Sequence, residues 1–397
     1  MKKTIRRVSI ILWGLSFLLG SVACERSNLT DVSTTESLQT GSSEMSDTSD
    51  TFDSSETSDM ADFKPESKSH IWLCSKATDF ETGRVQDDFT DHITNKDYWP
   101  ELLKHTRVLK LYIQQLYTTP NEQLIRIADF VRENDLLVAV ELGGVRMAPT
   151  GTPIEQVAPM AVYAEYRHLK NFIDLGGRVD YITTDHALAA QITGRIDLFN
   201  GATMQQLMEQ QALYYKIMQK RIPGLKVGAI ESLGYFWVKS ETYQYSPTDP
   251  TLGRVDFENY LSEFIRITKE NGVTLDHFHI DFGLQDIMYD AGYGRVLAVE
   301  DFCHANDVDV GFIAANAYHK SMEFVPDDQV AAVSKEAAER ALKYFEGYQK
   351  AGGTCDYFIF QRWQPYPIEV GSESEPYTNL GIFKSMLDSP YFPKLVD

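Results

Sequence analysis

Leu275-Asp276-His277-Phe278-His279-Ile280-Asp281-Phe282-Gly283 reads as a buried strand. It follows a predicted helix over 257–271 and a stop at Gly272. Side chains alternate across a strand, so one face carries His277, His279 and Asp281 and the other Phe278, Ile280 and Phe282. The apolar face suits packing against helices. The polar column must point where it can be satisfied, because a buried polar group without a partner costs a few kcal/mol. A barrel interior opening into a ligand pocket meets that demand.

The chain on either side has the rhythm such a barrel needs. Strand-like runs are predicted at 71–75, 108–113, 136–141, 179–185 and 225–231 ahead of this stretch, and at 308–315 and 355–363 after it. Helix-like stretches fall between them at 121–134, 153–175, 203–220, 257–271 and 327–351, several closed by Gly-Gly or Pro-Gly. Strands alternating with helices predict βαβ units and a parallel sheet. Eight units predict an α/β fold of the (β/α)8 TIM-barrel type. The alternative is an open doubly wound sheet, but no Gly-rich turn follows the first strand to support a dinucleotide fold.

Barrel active sites sit where strands end. The third predicted strand ends in Glu141, the fourth in Asp185-His186, the fifth in Glu231 and the sixth in Asp281. By parity Leu137, Ala139 and Glu141 share a face, as do Thr183 and Asp185, and Val227, Ala229 and Glu231. Carboxylates at four consecutive strand ends predict a site, since solvated acids would scatter over helices. Paired carboxylates suit glycoside hydrolysis, one as acid on the leaving oxygen and the other as nucleophile or as base for water. Glu231 and Asp281, on neighbouring strands, make a close pair, and Asp185 with Asp281 a wider one. Asp281, Glu231 and Asp185 are the candidate catalytic residues. Aromatic residues gather after the same strand ends: Tyr235, Phe236 and Trp237, Tyr289 and Tyr293, Tyr318, then Trp363 and Tyr366. Aromatic faces stack on sugar C–H faces. The candidate substrate contacts are therefore Glu141, His186, Tyr235, Trp237, His279, Asn316, Tyr318, Gln361 and Trp363. Arg362 has the opposite parity and is expected to be structural.

The chain of 397 residues is 43% hydrophobic and 12% aromatic, enough for a real core. Its net charge of −20 argues against a nucleic-acid partner, whose phosphates call for clustered Lys and Arg. Lys2, Lys3, Arg6 and Arg7 precede an apolar run from Val8 to Leu19 and the small-residue segment Ser21-Val22-Ala23-Cys24, the layout of an export signal. Residues 25–65 are rich in Ser, Thr, Asp and Glu and poor in core-forming residues, which predicts a disordered tether. The expected organisation is a signal over 1–23, a tether over 24–65 and the barrel over 66–397. Beyond Cys24, three cysteines remain, Cys74, Cys303 and Cys355. An odd number makes no full disulfide framework. Cys74 and Cys355 fall on the first and last strands, where buried thiols are expected in preference to a bridge. No Cys or His spacing matches a zinc site, and no cofactor or metal is expected.

Cys24 after Val-Ala resembles the lipidated cysteine of a bacterial lipoprotein signal, with Ser21 standing where such signals usually carry Leu. That resemblance implies a membrane anchor through Cys24 and an exported domain facing the exterior or the periplasm. A tethered barrel with acids at strand ends four to six and a Trp after strand eight resembles bacterial glycoside hydrolases that act on polysaccharides or oligosaccharides. Many such enzymes place an Asn-Glu pair after strand four, where this chain has Asp185-His186. Others use an Asp after strand four and one after strand six, which Asp185 and Asp281 match. Two rival readings stand beside this one. A metal-dependent sugar isomerase or hydrolase would gather Glu141, Asp185, Glu231, His279 and Asp281 around one ion. A non-catalytic carbohydrate-binding lipoprotein would hold its acids in ion pairs.

Overall fold

The computed structural model describes residues 70–75, 88–192, 198–199, 201–238, 255–281, 293–314, 325–362 and 366–393. All of them belong to the unit Ser69–Asp397. Eight parallel strands, β1 (His70–Cys74), β2 (Thr106–Tyr112), β3 (Leu137–Leu142), β4 (Tyr181–Asp185), β5 (Lys226–Ser232), β6 (His277–Asp281), β7 (Asp309–Ile313) and β8 (Tyr357–Gln361), close into a barrel in chain order, with β8 returning to β1. This is the predicted (β/α)8 TIM barrel. Its outer layer includes α1 (Asn121–Glu133), α2 (Val157–Asp174), α3 (Met204–Arg221), α4 (Phe257–Glu270), α5 (Gly294–His304), α6 (Asp327–Lys350) and α7 (Asn379–Leu387). Among the described residues no helix is long and apolar enough to cross a membrane.

Two cores result, as a barrel requires. The larger lies between strands and helices and takes the outward side chains, such as Val138 and Val140, Val227 and Ala229, Phe278 and Ile280. The smaller fills the barrel around Trp72, with Val108, Ala139, Ile230, Ile313, Tyr357 and Ile359. Trp72 stacks on Tyr357 at 4.4 Å and 6° and meets the edges of His277 and His279 at 5.5 and 5.1 Å. These large rings fit because β5 and β7 present glycine beside them. A methyl group on Gly228 would lie 2.2 Å from the His277 ring, and one on Gly311 2.5 Å from Tyr357.

The lower rim is fastened by one device used three times. Asp180, Asp276 and Asp356 each stand immediately before a strand. Each Oδ2 accepts from the backbone N–H of Val138, Val227 or Val310 on the preceding strand, at 2.8, 2.8 and 2.6 Å. Each Asp amide in turn donates to the carbonyl of the same valine. The side chain satisfies an amide at the start of the ladder that the sheet itself leaves open. Asp276→Ala should therefore lower stability by about 1–3 kcal/mol, whereas Asp276→Asn, which keeps an acceptor oxygen, should lose much less. Urea unfolding midpoints of the two variants check this, and equal loss in both would contradict it.

Strand ends differ from the sequence reading by one or two residues. Cys74 ends β1, whereas Cys355 lies two residues before the adjoining β8, at the opposite end of that strand pair. Cys74 pairs in register with Gln361, while Cys355 precedes β8. Both are free thiols, as is Cys303. Burial pushes the Cys74 thiol up to about 12, so it is inert as a nucleophile.

Candidate active site

The upper mouth gathers Glu141 from β3, Asp185 and His186 from β4 and Asp281 from β6. Asp185 pairs in register with Ile230, and Ile230 with His279, so all three point into the barrel. Asp281 follows His279 on the same face, one step nearer the opening. His186 is consecutive with Asp185 and would face the opposite way on a regular strand. Its φ of +46° turns the chain instead. Left-handed backbone at a non-glycine residue is uncommon and is held here by the His186 amide donating to Ile230 O at 2.9 Å. The imidazole thus comes between two acids. Nδ1 lies 3.6 Å from Asp185 Oδ1 and Nε2 3.5 Å from Asp281 Oδ2. Since one ring spans both contacts, these oxygens are no more than roughly 9 Å apart, so the separation does not exceed that which flanks a glycosidic bond. The side chains of Asp185, His186 and Asp281 keep 24, 19 and 17% exposure, while His186 Nε2 itself is buried.

Two basic residues complete the cluster. Lys110, fully buried on β2, donates to Glu141 Oε2 at 2.6 Å and to Gln361 Oε1 at 2.5 Å, and Gln361 Nε2 donates to the same Glu141 oxygen at 3.0 Å. Arg146 donates to Asp185 Oδ2 at 3.1 Å from the turn Gly144–Met147 after β3. That turn is locked from behind. Gly143 N–H donates to the buried Glu165 of α2 at 2.7 Å, Tyr214 of α3 donates to the other Glu165 oxygen at 2.6 Å, and Val145 N–H donates to Gln211 at 3.1 Å. Gly144, at φ +58°, has no room for a side chain, as a methyl group would lie 2.7 Å from Gln211.

Charge at the mouth follows from this packing. Burial opposes ionisation of Asp185, but His186 and Arg146 outweigh it and hold the carboxyl below its ordinary range. Burial likewise opposes a charge on His186, yet Asp185, Tyr235 and Asp281 together hold its pKa well above the ordinary value. The two flanking acids thus favour the imidazolium form of His186. Burial pushes the Glu141 carboxyl up, against the pull of Lys110.

Glu231 stands apart from this group. It pairs in register with Ile280, on the outward side with Val227 and Ala229, while Gly228 and Ile230 face the interior. Val227, Ala229 and Glu231 do share a face, as read from the sequence, but it is the outward one and not the face of the site. Both faces of a barrel strand are apolar, so alternation alone does not say which is inside. Glu231 is buried among the helices, accepting from Tyr260 Oη at 2.9 Å and from Ala189 N–H at 3.3 Å.

The remaining candidates fall into three groups. Tyr235 stands edge-on to His186 at 5.4 Å, Trp237 is 44% exposed two residues on, and Gln361 faces the interior beside Lys110. His279 is fully buried beneath the mouth and bonds Tyr357 Oη at 3.0 Å. His277 bonds Thr183 at 2.9 Å. Burial, reinforced by nearby positive charge, drives His277 down to about 3 and His279 well below the ordinary range, so both are neutral core histidines. Tyr293 and Tyr366 serve packing, the first donating to Tyr344 O and the second accepting from Val325 N–H. Arg362 is buried, as expected for a structural residue. Asn316, Tyr318, Trp363, Tyr289 and Cys24 lie outside the described residues.

Lys110 and Arg146 are the residues that sequence reasoning missed. Lys110 had a signal, as a lone lysine in the apolar run Val108-Leu109-Lys110-Leu111. Arg146 sits in a loop and had none. Among the described residues no three His, Cys, Asp or Glu side chains are grouped to hold a metal ion.

No protein-family model matches the chain, and no curated protein does. Solved structures with a similar barrel include a modular endo-β-1,4-mannanase of glycoside hydrolase family 26 from Cellulomonas fimi, at TM-score 0.43 and 10% identity over 81% of this chain and 71% of that one. They also include fungal β-1,4-galactanases, at TM-score 0.42 and 11% identity over 71% and 89%. A 3-keto-D-glucoside 4-epimerase from E. coli aligns at TM-score 0.37 and 14% identity over 74% and 91%. What these proteins share with this chain is the barrel.

Proposed function

We propose that the chain is a glycoside hydrolase working at the barrel mouth on Asp185, His186 and Asp281. The observation that carries this reading is the single imidazole set between two solvent-facing carboxylates. The His186 imidazolium gives its Nδ1 proton, Nε2 being buried against Asp281, to the glycosidic oxygen as the bond to the anomeric carbon breaks. Asp281 acts either on that carbon as nucleophile or on a water as base. Asp185, kept ionised by Arg146, holds the imidazole in place. Lys110, Arg146 and His186 balance Glu141, Asp185 and Asp281 before the reaction. Release of the proton leaves these six groups with one net negative charge, which stabilises positive charge developing on the sugar ring. A neutral sugar chain fits this balance, with Tyr235 and Trp237 as stacking platforms at the rim.

Reducing-end release from a panel of neutral polysaccharides tests the proposal. A second reading has its own support, because among the described residues each of the three acids at the mouth has a cationic partner: Glu141 with Lys110, Asp185 with Arg146, and Asp281 with His186. A binding protein would be built this way. Saturable glycan binding without release of reducing ends would favour it.

We also propose that residues 1–23 direct export and that Cys24 carries the lipid anchor. Cys24→Ser should abolish incorporation of a clickable fatty acid and move the protein from the membrane to the soluble fraction. Unchanged labelling would refute the anchor.

A further inference from the structure

Glu231 is a buried acid that the proposed mechanism does not use. It stands on β5 directly behind the β4 loop that carries His186. One oxygen, Oε1, accepts from Tyr260 of α4 and from the amide of Ala189, the first residue of the short helix that follows the Asp185-His186 turn. The other, Oε2, is fully buried and has no hydrogen-bond partner among the described residues. A neutral carboxyl fits such a position, because an ionised one would leave a charged oxygen unsatisfied.

We propose that Glu231 is a positioning residue, which clamps the Asp185-His186 turn against β5 and so holds the His186 ring between Asp185 and Asp281. The inference rests on the reading of His186 as the proton donor. The clamp acts three residues from His186, where the left-handed backbone has to be maintained. The two meet electrostatically as well: burial raises the Glu231 carboxyl to about 7, and His186 is the strongest influence pulling it back. Among the described residues the charged and titratable groups around His186 are Asp185, Asp281, Tyr235 and Glu231, with Arg146 bound to Asp185.

The test is an NMR titration of His186, assigned by loss of its signal in His186→Gln, in the full chain and in Glu231→Gln, Glu231→Ala and Tyr260→Phe. Gln keeps an oxygen for the Ala189 amide and Tyr260, so His186 should titrate within a few tenths of a pH unit of the parent. Ala frees the turn, and the proton affinity of His186 should drop at least about threefold toward that of a free imidazole. Tyr260→Phe removes one of the two bonds and should give a smaller drop, and it serves if the Ala variant does not fold. On a hydrolysed substrate, kcat should fall about 10- to 100-fold in Glu231→Ala with little change in KM, and Gln should restore it. An unchanged His186 titration in both Glu231→Ala and Tyr260→Phe overturns the proposal. Because the titration needs no substrate, it stands or falls separately from the glycosidase reading.

Discussion

Asp281→Asn and Asp185→Asn should each fold like the parent and lose turnover by roughly 10²- to 10⁴-fold. The two variants fail for different reasons. Asp281→Asn removes the carboxylate that acts on the anomeric carbon or on water, and an amide is neither a nucleophile nor a base of comparable strength. Asp185→Asn leaves Asp281 in place but removes the main electrostatic support for the His186 charge and the anchor of Arg146. The His186 proton affinity should therefore fall, and activity lost at neutral pH should partly return at lower pH. Folding is expected to survive because both side chains are solvent-facing and neither belongs to a core. Rates of reducing-end release across pH, beside thermal melts, make the check. Near-parent activity in both variants would remove the proposed chemistry. Glu231→Gln, by contrast, is expected to retain most activity, since Glu231 lies outside the mouth.

The double variant Glu165→Gln/Glu300→Gln should become more stable relative to the parent as pH rises from about 5 to about 8. Glu165 and Glu300 are buried against Tyr214 and Tyr348, and burial raises each carboxyl from 4.5 to about 7. Between those values the folded chain keeps two protons that the unfolded chain has lost. Stability then decreases with rising pH, by up to about 3 kcal/mol for each group once pH exceeds the folded value. Glutamine does not titrate, and its amide can donate to the tyrosine hydroxyl while its oxygen accepts the backbone amide of Gly143 or Thr354. Comparing parent with variant isolates these two groups from the rest. The rest matters at the acid end, where His277 and His279 are held neutral. Their folded values lie below the unfolded one, so the stability they give is complete above about 6.5 and is lost as pH falls toward about 3. Urea unfolding at pH 5, 6.5 and 8 reads the difference. A constant gap between parent and variant would show that the two carboxyls are ionised in the folded chain.

Much of this molecule was legible before any coordinates. Eight apolar runs separated by helical stretches and Gly stops are a local property, set by propensity and periodicity, and they gave the barrel its strand count and order. The inward column His277, His279 and Asp281 followed from alternation alone, because one side of that strand is uniformly aromatic or aliphatic. Asp185 followed from its place one step beyond Thr183. For β5 the same reasoning pointed the wrong way. Val227 and Ala229 look like an interior face, yet Gly228 and Ile230 are the interior, since His277 needs the space that only glycine leaves.

By itself the sequence determined the fold class, the ends of the strands where chemistry can sit, and three of the acids that meet there. Tertiary structure decided which acids share a cavity. Register between β4, β5 and β6 sent Glu231 outward. A single left-handed residue brought His186 inward against its parity. Lys110 and Arg146 became partners of Glu141 and Asp185 across 31 and 39 residues of chain. Such choices depend on distances between elements that are remote in sequence, and local pattern, which acts over a few residues, contains no information about them.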